Sequence, residues 1–249
     1  AEADPTFDIE GVDAAHKITI LASIAFGIPI NFDAVHVEGI SNLSQKDITY
    51  AEELGYKIKL LGIAKSQNAD VEIRVHPTLV PKNRLVANVD GAMNAVLVHG
   101  NMVGPTLYYG AGAGAEPTAS AVVADVIDIA RQTKLSQNTL IPSLGFMPDK
   151  INEKNILSIE NIISEYYLRF TMKNQAGLLA KITNIFADHD ISINSMVHKE
   201  VQENNQNPDI FLITSKTKEA DIDTIISEIE LLPENTEKVV KIRTEELNK

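Results

Sequence analysis

Hydrophobic positions mark out the first half of the chain as a mixture of helices and strands. The run VDAAHKITILASIAF predicts a helix over Val12–Phe26, with Gly27 as its stop. A charged, turn-rich stretch leads to a short predicted helix, Lys46–Glu53, closed by Gly55. Tyr56–Ala64 and Val71–Val80 alternate apolar and polar residues and predict two strands joined by the hairpin turn SQNAD. Ile58 and Leu60 on one strand, and Val71, Ile73 and Val75 on the other, predict a single buried face. Two further strands, Ala95–His99 and Pro105–Tyr109, are followed by a glycine-rich turn and a helix over Pro117–Gln132. Residues 133–155 are polar, punctuated by Pro142, Gly145 and Pro148, and read as an inter-domain connection. Beyond them the order is strand (Tyr166–Met172), helix (Gly177–Asp188), strand (Ile191–His198), strand (Ile210–Ser215), helix (Ala220–Leu231) and strand (Lys238–Arg243). That order is βαββαβ, a ferredoxin-like sandwich. The expected class is α+β, with a mixed α/β domain over 1–150 and a βαββαβ domain over 151–249.

Composition narrows the partners. A net charge of −12 and the lack of a dense basic cluster disfavour nucleic acid and anionic membrane surfaces. No uncharged apolar stretch reaches the roughly 18 residues that a transmembrane helix needs. No signal peptide is expected at the start of the chain. With no cysteine, disulfides, thiolate metal sites and thiol nucleophiles are excluded, which fits a cytoplasmic protein. The chain lacks an initiator Met and begins within apparent active-site chemistry, so it reads as a piece of something longer.

That chemistry lies in AEADPTFDIEGVDAAHK, where Glu2, Asp4, Asp8, Glu10 and Asp13 precede Lys17, the first basic residue. Asp13 and Lys17 are spaced i, i+4 and can touch on a helix. Acidic groups beside a lysine suit a small zwitterion and a proton transfer. The same spacing also describes an ordinary surface pair, with the acids favouring the helix dipole. The apolar sequence after Lys17 predicts a partly buried stem. A second candidate is YGAGAGAEPTASAVVAD, which places Gly110, Gly112 and Gly114 before a helix whose start suits an anion. Its spacing is not G-x-G-x-x-G, so it reads as a tight connection or as a loop packed on a dinucleotide held elsewhere. In the second half, the turn Asn174-Gln175-Ala176-Gly177 and the segment Asp188–Asn194 are candidate binding loops of a paired βαββαβ module, or parts of a purely structural one. His189 and His198 show no acidic or metal-binding partner at useful spacing.

The string EADPTFDIEGVDAAHKITILASIAFG resembles the catalytic-domain signature of the homoserine dehydrogenases, and YGAGAGAEPTASAVVADVI resembles the cofactor-facing glycine loop of that family. YYLRFTMKNQAGLLAKITNIFADHDISINSM resembles an ACT domain, an amino-acid-sensing module. The resemblance implies NAD(P)-dependent interconversion of L-homoserine and L-aspartate 4-semialdehyde, a step of threonine, methionine and isoleucine biosynthesis. It implies Lys17 as the proton donor or acceptor at the substrate oxygen, and Glu2, Asp8 and Asp13 as substrate-binding acids. Gly112, Ala113, Gly114, Glu116 and Thr118 would face the cofactor, NADP or NAD. The family's Rossmann domain is not in this sequence, so the main cofactor site is expected outside it, and no metal is assignable. Central strands of the first half would supply a dimer sheet, giving a homodimer or homotetramer. Asn174, Gln175, Ala176, Gly177, Leu178, Ile193 and Asn194, with Ser195, would hold a regulatory amino acid, threonine as the pathway end product. The alternative is a non-catalytic regulatory protein in which the ACT module is the working part.

Overall fold

The computed structural model describes residues 4–67, 70–133, 142, 144–199 and 207–247. The first element, α1 (Thr6–Ile9), is a single turn, and α2 (Val12–Phe26) leaves it through a sharp corner at Gly11. Gly11 has φ 79°, a conformation that glycine adopts without steric penalty. Gly27 ends α2 in the same region, its N–H donating to the Ser23 carbonyl. Helix α2 buries Ala15, Thr19, Ala22 and Ser23, a stripe of small side chains at helical spacing. The Thr19 hydroxyl is satisfied within the helix by the Ala15 carbonyl.

The chain continues through β1 (His36–Val37) to α3 (Gln45–Glu53). A reciprocal cap between Ser44 and Asp47 starts α3. Strands β2 (Tyr56–Gln67) and β3 (Asp70–Pro81) pair antiparallel from Tyr56↔Pro81 to Gln67↔Asp70. The centre of the SQNAD turn, residues 68–69, lies outside the described residues. A separate hairpin follows, β4 (Met93–Gly100) with β5 (Gly104–Ala111), and then α4 (Ala115–Gln132). Part of the expected connection, residues 134–141 and Ser143, also lies outside the described residues.

The second half contains β6 (Ile163–Ser164), β7 (Tyr166–Thr171), α5 (Leu178–Asp188), β8 (Ile193–Lys199), β9 (Asp209–Thr214), β10 (Thr217–Lys218), α6 (Glu219–Glu230) and β11 (Val240–Thr244). Strands β6 and β10 form a small ladder of their own. The other four lie in the antiparallel order β11-β7-β9-β8. With α5 and α6 on one face this is the expected βαββαβ sandwich. Its core packs Tyr166, Leu168, Phe170 and Met172 of the sheet side against Leu178, Ile182, Phe186, Ile222, Ile225 and Ile229 of the helices.

The two halves share one seven-stranded sheet, because β11 pairs in parallel with β3. One edge of β3 is occupied by β2. The other edge is divided end to end: β1 pairs at Arg74 and Val75, and β11 pairs at Thr78 and Leu79. Helices α2 and α3 cover the face opposite α5 and α6. Tyr50 of α3 stacks on Phe211 of β9 at 4.4 Å, among Ala51, Leu79, Tyr167 and Ile242.

The expectation of a single buried face fails at β3, which is buried on both sides from Val71 to Val80. Val71, Ile73 and Val75 face α2 as the alternation predicts. Glu72, Arg74, His76 and Thr78 on the other side are also buried, because ionic partners arrive from β11 and its flank. Arg74 Nη1 lies 2.8 Å from Glu72 Oε1, without hydrogen-bond alignment, and Arg74 Nη2 reaches Glu245 at 3.2 Å. Lys65 adds a 2.6 Å contact to Glu245. A polar alternation reads as solvent-facing in sequence, yet here it marks a buried ionic layer.

Candidate functional site

The corner at Gly11 places α1 and the start of α2 together, and with them three of the four N-terminal site residues. Lys17 Nζ donates to Asp13 Oδ2 at 2.6 Å, one helical turn away. Asp8 stands exposed on α1, and among the described residues its carboxylate has no hydrogen-bond partner. Glu2 lies outside the described residues. The expectation of a partly buried Lys17 is corrected: 62% of its side chain is exposed. The apolar residues after Lys17 divide between two faces of α2. Ala22 turns inward, while Ile20, Leu21 and Ile24 are themselves exposed. Sequence reasoning also missed an aromatic rim here. The His16 ring lies between Phe7 and Phe32, with centroids at 5.6 and 4.3 Å, both edge-to-face. No spacing signal marks that group, since Phe32 arrives from the loop beyond α2.

At the glycine turn, Gly114 has φ 125° and precedes α4, whose start has no side-chain cap. Thr118 N–H donates to the Gly114 carbonyl at 3.1 Å, and Gly112 N–H to Ala92 at 3.3 Å. A Cβ at Gly112 would meet only the amide end of the exposed Asn94 side chain, which can turn away. Gly112, Ala113, Gly114, Glu116 and Thr118 are all exposed, and no hydrogen bond or ion pair joins them to Asp8, Asp13 or Lys17 among the described residues. The turn offers one open wall, and the described residues do not form an enclosed dinucleotide site. Among them there is also no grouping of three or more His, Asp or Glu placed to hold a metal ion.

No residue of α4 is buried, and its Val122, Val123, Val126, Ile127 and Ile129 face outward. The β4–β5 hairpin likewise exposes Val96, Val98, Tyr108 and Tyr109. Apolar exposure on this scale marks an interaction surface.

In the second half, a depression of about 180 Å³ opens beside the first turn of α5. Asn174, Gln175, Gly177, Leu178, Leu179, Ala180 and His198 line it. Gly177 caps α5 with φ 85° and no side chain over the free helix N–H groups, which suits a carboxylate. Ala176 lies within the same turn but not on the lining. Ile193 and Asn194 are at the far end of β8, about 15 Å of strand from His198. There Ile193 packs on the core, and the Asn194 amide donates to the Thr214 carbonyl at 3.1 Å. Within one chain these two residues are therefore separated from the 174–178 turn. Leu179, Ala180 and His198 are lining residues that sequence reasoning did not place there; His198 enters because the end of β8 lies across β9 from the end of β7. His189 does have an acidic partner, Glu228 at 2.9 Å, brought by the antiparallel packing of α5 and α6.

A buried ionic group joins the two halves near the N-terminal corner. Arg243 of β11 is 1% exposed and is held between Glu219 of α6 and Glu38, the residue after β1. Burial alone would raise the Glu38 pKa, but hydrogen bonds from His36 and Arg243 outweigh it and hold the carboxyl far below its ordinary value. Burial likewise opposes the Arg243 charge, and the two glutamates more than restore it. His76, fully buried beneath this group, is pushed well below its usual 6.5 by desolvation and by the charges of Arg243 and Arg74. It stays neutral while one ring nitrogen accepts from Arg74 Nε at 2.9 Å.

These elements define a class: a mixed α/β domain that shares its sheet with a βαββαβ module. The ACT domain profile matches residues 166–234, and the profile described as homoserine dehydrogenase matches residues 1–127. Across 248 residues the chain is 50% identical to the homoserine dehydrogenases of Pseudomonas aeruginosa and of Neisseria gonorrhoeae, covering 100% of itself and 57% of each. The crystal structure of a homoserine dehydrogenase from Thiobacillus denitrificans superposes on it with a TM-score of 0.92 at 55% identity, over 100% of this chain and 56% of that one. The Staphylococcus aureus homoserine dehydrogenase at pH 6.0 gives a TM-score of 0.70 at 32% identity, over 98% of this chain and 56% of that one. The chain belongs to the homoserine dehydrogenase family and spans a little over half the length of these relatives.

Proposed function

We propose that this chain is the substrate-binding and regulatory portion of an NAD(P)-dependent homoserine dehydrogenase, divided near residue 150. The observation that carries the reading is the Asp13–Lys17 contact of 2.6 Å on the open face of α2. Lys17 Nζ would face the C4 oxygen of the substrate, taking its proton when L-homoserine is oxidised and returning it when L-aspartate 4-semialdehyde is reduced. Asp13 would fix the direction of Nζ through the i, i+4 contact, in the amine form that takes the proton and in the ammonium form that returns it. Glu2 and Asp8 supply negative charge for the substrate ammonium. A bound nicotinamide cofactor, NADP or NAD, would supply the hydride acceptor or donor, and would be held chiefly by residues outside this chain. The exposed turn from Gly112 to Thr118 is proposed as one flank of that site.

The unpartnered apolar faces of α4 and of the β4–β5 hairpin support assembly as a homodimer or homotetramer. The depression at Asn174–Ala180 is proposed as the effector site, with L-threonine as ligand. Ile193 and Asn194 would belong to it only if a second copy brought them there. The test is turnover by the full-length protein, wild type and Lys17→Ala, with L-homoserine and each cofactor. Reduction by the wild type and loss by orders of magnitude in the variant support the reading; near-wild-type turnover of Lys17→Ala removes the role given to Lys17. A second reading, a regulatory protein without catalysis, rests on the separately formed depression at α5. Amino-acid binding with no cofactor reduction would favour it.

A further inference from the structure

The substrate corner is seated on a segment that the C-terminal half holds in place. Glu38 leaves β1 with its N–H bonded to the Val75 carbonyl at 2.8 Å. Gly39 then packs directly beneath α1, where an added Cβ would fall 2.6 Å from Glu10 Cα and 2.7 Å from the Ile9 carbonyl oxygen. Ile40 N–H donates to that same carbonyl at 2.8 Å, and the Ser41 hydroxyl donates to the Glu10 carboxylate. Residues 38–41 therefore form the seat of the α1–Gly11–α2 corner, which carries Asp8, Asp13 and Lys17. The Glu38 carboxylate is gripped by both terminal nitrogens of Arg243, at 2.9 and 2.8 Å. The same guanidinium holds Glu219 through Nε at 2.6 Å and through Nη2. This contact exists because β1 and β11 lie end to end along one edge of β3.

We propose that Glu38 is a positioning residue of the substrate site, and that Arg243 makes its placement depend on the C-terminal module. The proposal rests on the catalytic reading of Asp8, Asp13 and Lys17. A planar guanidinium can grip two carboxylates at once, whereas an ammonium on a flexible stem cannot. Arg243→Lys keeps the charge and loosens the joint. Glu38→Gln is the gentler variant, since 38% of the Glu38 side chain is exposed. Glu38→Asp keeps the charge on a shorter stem and serves as the partial rescue.

The experiment measures kcat and KM for L-homoserine, together with hydrogen exchange, in full-length wild type and the three variants. Arg243→Lys and Glu38→Gln should raise KM about tenfold and also lower kcat, because the same corner carries Lys17; the size is typical of residues that couple without touching ligand. Amide exchange should quicken over residues 6–17 and stay at wild-type rates over 178–188. Glu38→Asp should recover part of both effects. Wild-type KM and wild-type exchange over 6–17 in both variants, even with a lowered melting temperature, would overturn the proposal. If the wild type shows no turnover, the catalytic reading fails, and exchange over 6–17 still decides whether Arg243 and Glu38 position this corner.

Discussion

Among the described residues Lys17 makes one ion pair, to Asp13, and more than half of its side chain meets solvent. An exposed pair of this kind contributes at most about 1 kcal/mol to folding. Lys17→Met should therefore lower turnover by orders of magnitude while leaving the thermal midpoint nearly unchanged; a comparable loss of stability would make Lys17 structural. His76 is the opposite case, fully buried and outside the open site. Its folded pKa lies well below 6.5, so the unfolded chain takes up a proton first as the pH falls. Stability should drop by up to about 1.4 kcal/mol per pH unit below 6.5, until the depressed folded pKa is reached. His76→Gln should flatten the dependence of denaturation midpoint on pH between 5 and 6.5, and an unchanged slope would contradict this. At this scale the sequence exposed the Asp13–Lys17 pair through simple i, i+4 spacing. It concealed the exposure of Lys17, the rings around His16, and His198, because each depends on which distant segment arrives beside it.

At the scale of elements, α3 is the clearest case of a local signal with a distant purpose. Ser44 and Asp47 announce a helix start, and the same Asp47 receives Arg169 of β7 at 2.6 and 3.2 Å in the buried seam between the halves. Asp47→Ala would leave a buried guanidinium without its principal partner. A loss of about 3–5 kcal/mol is expected in denaturant unfolding; a change below about 1 kcal/mol would show that the seam does not depend on this pair. Helix α4 is legible in sequence over almost its full length, but its surroundings are not. No residue of it is buried, and its apolar positions meet solvent. A charge at Val126 or Ile127 in the full-length protein should reduce the assembly size read by light scattering, with an unaltered size contradicting the role of this face. Periodicity located both helices and the six elements of the βαββαβ unit because those patterns are local. The parallel join of β11 to β3, across more than 160 residues of chain, leaves no local trace.

For the molecule as a whole, the single sheet is the central fact. A module resembling a detachable sensor is built into the sheet that supports α2, through β11 and through the charges at Arg243 and Arg169. That continuity gives the C-terminal half a physical route to the corner bearing Lys17. The most direct test of the account is cofactor reduction by the full-length protein with L-homoserine, measured with NADP and with NAD, each with and without L-threonine. The account predicts reduction with at least one cofactor and a lower rate when L-threonine is present. A folded protein that binds an amino acid yet reduces neither cofactor would contradict it.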